Sequence, residues 1–265
     1  MKISLIITTY NWKEALELSI LSACKQIHLP TEIIIADDGS DADTRQLIES
    51  LQKTSPVPIV HSWQQNKGFR LSRSRNKAIA IAKGDYIILI DGDIVTEENF
   101  IADHLEAAKK NYFIQGCRVL LNAKSTKKGL EQKELCPCFT DPGVENRKNC
   151  IRSNFLSKLF SFSSKRLPGI KTCNFAFWRQ HAEMVNGFNE DFIGWGREDS
   201  EFTARLLHSG VKRQNLKFKA VAYHLYHKIN SRKRLAENDK ILENTIKNKL
   251  TWCENGLNLH EKRTS

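Results

Sequence analysis

No apolar run in the 265 residues approaches the length that crosses a bilayer, so a globular chain is the class to explain. The opening segment, MKISLIITTYNW, carries one lysine and a short apolar stretch but no small-residue cleavage site. It reads as a buried strand rather than a leader, and the expected location is the cytoplasm. No internal repeat is present, and no G-x-G-x-x-G follows the first apolar run, which removes the dinucleotide-dependent oxidoreductases. A glycine-rich loop bearing Arg or Lys, which a nucleotidyltransferase needs at that point, is missing as well; TTYNWKE stands there. Zinc-type cysteine pairs are also lacking. The seven cysteines are scattered, and Cys136-Pro137-Cys138 leaves one residue between thiols instead of two or more, so they read as reduced thiols.

What is present points to a core and to an anionic partner. Forty per cent of the residues are hydrophobic, enough for a packed interior. The formal charge of +11 suits nucleic acid, a phosphorylated substrate or acidic lipid headgroups, and does not choose among them. Strand-like runs at Ile3–Thr8, Glu32–Ala36, Pro56–Ser62 and Tyr86–Ile90 alternate with helical periodicity: after Asn11, over Asp43–Gln52, and over Ser72–Lys83 up to Gly84. That alternation predicts an α/β fold, a mostly parallel sheet flanked by helices on both faces. Residues 122–171, rich in Lys, Ser, Asn and Pro, predict a long basic loop. A strand at Thr172–Phe177, helices at Arg179–Asn186 and Glu198–His208, a strand at Val221–Tyr226 and an amphipathic helix over Arg232–Trp252 follow. The basic character of that last helix fits either a solvated face or peripheral contact with an anionic membrane.

In parallel sheets ligands gather at the carboxyl ends of strands. Three such ends are polar here: Thr8–Asn11, Asp37–Ser40 and Asp91–Asp93. Asp91-Gly92-Asp93 places two carboxylates around a glycine turn, and close carboxylates repel unless water or a cation intervenes. Oxygen ligands of this kind suit Mg²⁺ or Mn²⁺. Asp37 and Asp38 either accept from a base or ribose or simply cap the next turn. Arg70, Arg73, Arg75 and Asn76 lie at a helix between the acidic strand ends, where a guanidinium binds phosphate or faces solvent. In GWGREDSEF, Trp195 is presented between glycines as a plane for sugar stacking. Glu198 and Asp199 open a helix, where they either satisfy its dipole or supply a general base. His224 and His227 are neutral nitrogen ligands near a late strand.

ITTYN, ADDGS, the basic RSRNKAI helix, GDYIILIDGD and GWGREDSEF, in that order, resemble a family 2 glycosyltransferase of the GT-A fold. The last of these is similar to the signature of β-1,4-galactosyltransferases and of bacterial chondroitin polymerase domains. The resemblance covers about residues 3–120 and 170–227. It implies a Rossmann-like single domain, with a nucleotide-sugar-binding half at 1–120, an acceptor-binding and catalytic half at 121–227, and a helical C-terminal extension at 228–265. It implies a UDP-sugar donor, a glycan or glycolipid acceptor, Mn²⁺ or Mg²⁺, and no nucleic acid. Carried over by position, Thr8 and Tyr10 flank the uracil, Asp38 meets the base or ribose, Arg75 sits near the donor and Asp91 touches ribose or sugar. Asp93 and His224 ligate the metal, with His227 close behind. Trp195 and Glu198 line the sugars, and Asp199 is the catalytic base. Arg197 stands where relatives often have glycine, adding a cation beside the acceptor. Membrane spans and the QxxRW motif of processive synthases are absent. The competing class is a basic nucleic-acid or membrane-surface module without catalysis, which has no need of Asp91, Asp93, Asp199 and His224 together. The resemblance implies work on bacterial surface polysaccharide or lipooligosaccharide, at the inner face of the cytoplasmic membrane.

Overall fold

The strands β1 (Ile3–Thr9), β2 (Glu32–Asp37) and β4 (Tyr86–Asp91) are β-branched and buried nearly throughout, as a strand covered on both faces must be. The structure, a computed structural model, describes residues 1–228 and 231–260. The parts of the expected C-terminal extension at 229–230 and 261–265 lie outside the described residues. β3 (Ile59–Trp63), β2, β1 and β4 run parallel in that order. The connecting helices are α1 (Lys13–Cys24), α2 (Ala42–Thr54) and α3 (Leu71–Ile81). Asp41 caps α2, its side chain accepting from Thr44 N.

Beyond β4 the chain departs from pure alternation. β5 (Ile94–Thr96), α4 (Phe100–Ala107) and β6 (Tyr112–Gln115) occupy a stretch without a legible period. The segment 122–171, expected as a loop, is structured. After β7 (Val119–Leu121) it forms α5 (Ala123–Gln132), β8 (Val144–Glu145), α6 (Asn154–Phe160) and β9 (Phe162–Ser164). Asn122 and Ser153 cap the two helices. Their few apolar residues hid them, because elements this short are stabilised by packing rather than by intrinsic preference. β10 (Asn174–Trp178), α7 (Arg179–Met184), α8 (Glu198–His208), β11 (Lys212–Asn215) and β12 (Ala222–His224) complete the domain. The helix expected over Arg232–Trp252 is shorter, α9 (Leu235–Lys247), and ends before the left-handed Lys249.

The main sheet has the order β3-β2-β1-β4-β10-β6-β11-β9, with β10 antiparallel to both neighbours. A second sheet, β5-β12-β7-β8, stands over the carboxyl end of β4. Alternate residues of β1 enter two cores. Leu5 and Ile7 pack with Leu16, Ile20 and Phe100 on one face, and Ile6 packs with Ala78, Phe188 and Phe202 on the other. Asn174 knits the centre: its buried amide donates to the carbonyls of Cys117 and Ala220, and its Oδ1 lies 2.9 Å from His104 Nε2. Asn174→Ala leaves these carbonyls without partners, and the expected loss is about 3 kcal/mol of unfolding free energy, read from urea denaturation midpoints.

Candidate active site

Gly92 lets the chain turn sharply at the end of β4. A Cβ there would lie 2.5 Å from the carbonyl oxygen of Thr8, so any side chain would push the turn off β1. The parallel register sets Thr8 beside Asp91, and Thr8 Oγ1 donates to Asp91 Oδ1 at 3.0 Å. From α3, Arg75 reaches the same place. Its guanidinium is 1 % exposed and stands 3.4 Å from Asp91 Oδ1, 3.4 Å from Glu198 Oε1 and 2.8 Å from Thr172 Oγ1. The Phe188 ring closes the other side at 5.0 Å. One buried cation therefore joins β4, the approach to β10 and the start of α8.

The second carboxylate of the turn faces the second sheet. β12 pairs antiparallel with β5, setting His224 opposite Ile94, and Leu225 N donates to the carbonyl of Asp93. Asp93 Oδ2 lies 3.2 Å from His227 Nε2 and 3.7 Å from His224 Nε2. Both histidines thus meet Asp93, where the sequence left the choice between them open. One ligand atom from each of the three residues falls within 4.8 Å of the others. Burial, then the neighbouring Asp91, pushes the Asp93 carboxyl up to about 7. Burial, then nearby Arg118, pushes His224 down to about 4, which leaves it neutral and able to donate a lone pair. Asp93 Oδ1 is buried without a hydrogen-bond partner. An orphaned carboxylate oxygen beside two imidazoles fits a divalent cation of the Mn²⁺ or Mg²⁺ kind.

The other predicted residues separate into two groups. Asp37 and Asp38 end β2 beside β1. Asp37 is held by His61 at 2.8 Å and by the amides of Gly39 and Ser40. Asp38 is buried, one oxygen accepting from Gln64 Nε2 at 2.6 Å and the other from the Arg70 amide at 2.7 Å. Both its oxygens therefore already hold the 64–70 loop. Tyr10 is exposed, and its hydroxyl accepts from Asn66 Nδ2.

Trp195, Arg197, Glu198 and Asp199 line a cleft of about 350 Å³ with Ile170 and Arg232. Gly194, Gly196 and Arg197 all have φ between +77° and +106°, a coil that presents Trp195 and delivers the chain into α8. Arg197 at φ 77° occupies a conformation that favours glycine. Its Nε pairs with Asp239 of α9 at 2.5 Å, so its charge is largely taken up by α9. Asp199 Oδ1 accepts from Ser200 N and Oγ. Burial, then Glu198 beside it, pushes its carboxyl up to about 7. Glu198 Oε2 has no partner.

Sequence reasoning missed Thr172, Arg118, Gln64 and Arg232. None sits in a motif, and only the fold brings them to the site. Arg75→Met should cost about 3–5 kcal/mol of unfolding free energy, since it strands two carboxylates, and Arg75→Lys should cost less; chemical denaturation measures both.

The family model described as glycosyl transferase family 2 matches residues 4–176, and one described as the N-terminal domain of galactosyltransferase matches residues 157–228. Among curated proteins, chondroitin synthase of Escherichia coli is 26% identical over 245 residues, covering 84% of this chain and 34% of that protein. The GalNAc(5)-diNAcBac-PP-undecaprenol beta-1,3-glucosyltransferase of Campylobacter jejuni is 27% identical over 195 residues, covering 71% of this chain and 60% of that one. The chain thus spans less than two thirds of either relative. A crystal structure of S. aureus TarS 1–349 in complex with UDP superposes with a TM-score of 0.63 at 18% identity, over 91% of this chain and 64% of that one. No helix among the described residues is long and apolar enough to cross a membrane.

Proposed function

The chain belongs to glycosyl transferase family 2 and has the GT-A fold, and on that premise we propose that it moves a hexose or N-acetylhexosamine from a UDP-sugar to a hydroxyl of a glycan or glycolipid, inverting the anomeric carbon. The process served is bacterial surface polysaccharide or lipooligosaccharide synthesis. The observation that carries this reading is the meeting, at one strand end, of the Asp93–His224–His227 group with the Arg75-linked carboxylates Asp91 and Glu198. Support for the nucleotide comes from the UDP held by the structurally similar S. aureus protein, and support for the acceptor class from the names of the bacterial relatives.

Asp93, His224 and His227 would hold Mn²⁺ or Mg²⁺, which when bound supplies positive charge to a diphosphate leaving group. The protein's own groups do the rest. Arg75, sealed from solvent and shared by two carboxylates, is a positioning residue: it fixes Asp91 toward the donor and Glu198 toward the cleft. Trp195, with the Arg232 guanidinium over its ring at 5.2 Å, stands at the cleft where a sugar would bind. Asp199, oriented by Ser200, takes the proton from the acceptor hydroxyl as that oxygen attacks the anomeric carbon. A single displacement on an α-linked donor gives a β-linked product.

Calorimetric titration of UDP should show binding that requires Mn²⁺ and is lost in Asp93→Asn; equal binding with and without the cation would refute the metal reading. Asp199→Asn should lower kcat by about 10²–10⁴-fold while leaving UDP affinity unchanged. A general base works deprotonated, so at saturating Mn²⁺ the wild-type kcat/KM should be full above about pH 7 and fall as pH drops through that value. A profile flat from pH 6 to 8 would remove Asp199 from the role.

A further inference from the structure

An exposed apolar surface lies outside the sequence motifs. In α6 and β9, Phe155 is 74% exposed, Leu159 65%, Phe160 51% and Phe162 54%. Phe155 and Leu159 are one helical turn apart and share a face. The patch has a firm base: Ser153 caps α6, Ser157 is buried, and the Phe160 ring packs on Phe218 at 5.6 Å. β9 is the edge strand of the main sheet. Isolated exposed apolar residues are ordinary, but four in an eight-residue stretch mark an interaction surface.

The chain segment that carries the patch has charge of one sign. No Asp or Glu occurs between Glu145 and Glu183. Of the nearby cations, Arg152 is taken up by Asp103 at 2.7 Å, whereas Lys158, Lys165, Arg166 and Lys171 are exposed. Apolar side chains interleaved with lysine and arginine, with no carboxylate, match the boundary between acyl chains and anionic headgroups. The late helix that composition nominates for such contact, α9, is a poorer fit because it carries Glu237, Asp239 and Glu243.

We propose that this face seats the protein on an anionic bilayer, with Phe155, Leu159 and Phe162 entering the acyl boundary and Lys158, Lys165 and Arg166 meeting the headgroups. Ile170, which lines the cleft beside Asp199, is the sixth residue after Ser164 at the end of β9. That length of chain spans at most about 20 Å, so the seated protein holds its cleft close to lipid headgroups. The proposal rests on this surface and not on the UDP-sugar reading, so the two fail separately.

The test is flotation of the full chain with phosphatidylcholine vesicles, with and without phosphatidylglycerol, beside sedimentation velocity of the protein alone. Wild type should bind the anionic vesicles at least about tenfold more tightly, and high salt should weaken that binding. The pairs Phe155→Ser/Leu159→Ser and Lys165→Glu/Arg166→Glu should each lose about tenfold in vesicle affinity. Thermal melting should remain as in wild type, because these side chains are exposed. Absence of wild-type binding to anionic vesicles, or undiminished binding by the Phe155/Leu159 pair, overturns the proposal. A concentration-dependent dimer that the same pair abolishes, without vesicle binding, also overturns it and assigns the face to a second copy.

Discussion

A guanidinium sealed from water keeps its proton, and its charge must be met by the protein. Arg75 is that group, and the site is organised around the demand it makes. Asp91, Glu198 and Thr172 supply the acceptors, and they come from β4, α8 and the approach to β10. Neutralising one buried charge therefore holds the end of β4 and the start of α8 at a fixed separation. The two carboxylates that Arg75 holds are no longer free to repel each other apart. Asp93 and Asp199, with which Arg75 makes no ion pair, are carboxyls that burial shifts toward neutrality.

The sheet makes this convergence possible. A parallel strand ends where an antiparallel neighbour begins, so β10 starts beside the end of β4 and sets Thr172 against Arg75. The second sheet then stands across the same end. Its central strand, β12, carries His224 and leads to His227, and its pairing with β5 fixes both relative to the Asp93 turn. α9 closes the far wall: buried Asn238 donates to the carbonyl of Gly196, and Arg197 is tied to Asp239. The expected C-terminal extension is thus packed against the cleft-forming loop.

The first half of the fold was legible because β1, β2 and β4 are isoleucine-rich runs that end in polar residues, Thr9, Asp37 and Asp91, and both the run and the stop are local. Asp91, Asp93, Glu198 and Asp199 were legible for the same reason, each standing directly at a strand end or helix start. The middle was not. α5 and α6 have few buried side chains, and β8 and β9 are two or three residues long. Such elements exist through caps and edge pairing with distant strands, which no local pattern records. The environment of Arg75 was equally hidden. The helical pattern places Arg75 near the acidic strand ends, yet it cannot show that Phe188 and Thr172 bury it. Asp38 was legible as a polar strand end, but not its tie to the following loop, through Gln64 Nε2 and the Arg70 amide.

The placement of β12 has a consequence for how the protein comes into being. The turn at Asp93 is complete once the first parallel strands have paired, but the two imidazoles that face it lie more than a hundred residues later in the chain. Until β12 has been synthesised and has slotted between β5 and β7, Asp93 has no imidazole partners, however well the amino-terminal strands have formed. A nascent or truncated chain therefore carries the acidic half of the triad alone. The assembled triad thus forms only once the second sheet has closed over the end of β4.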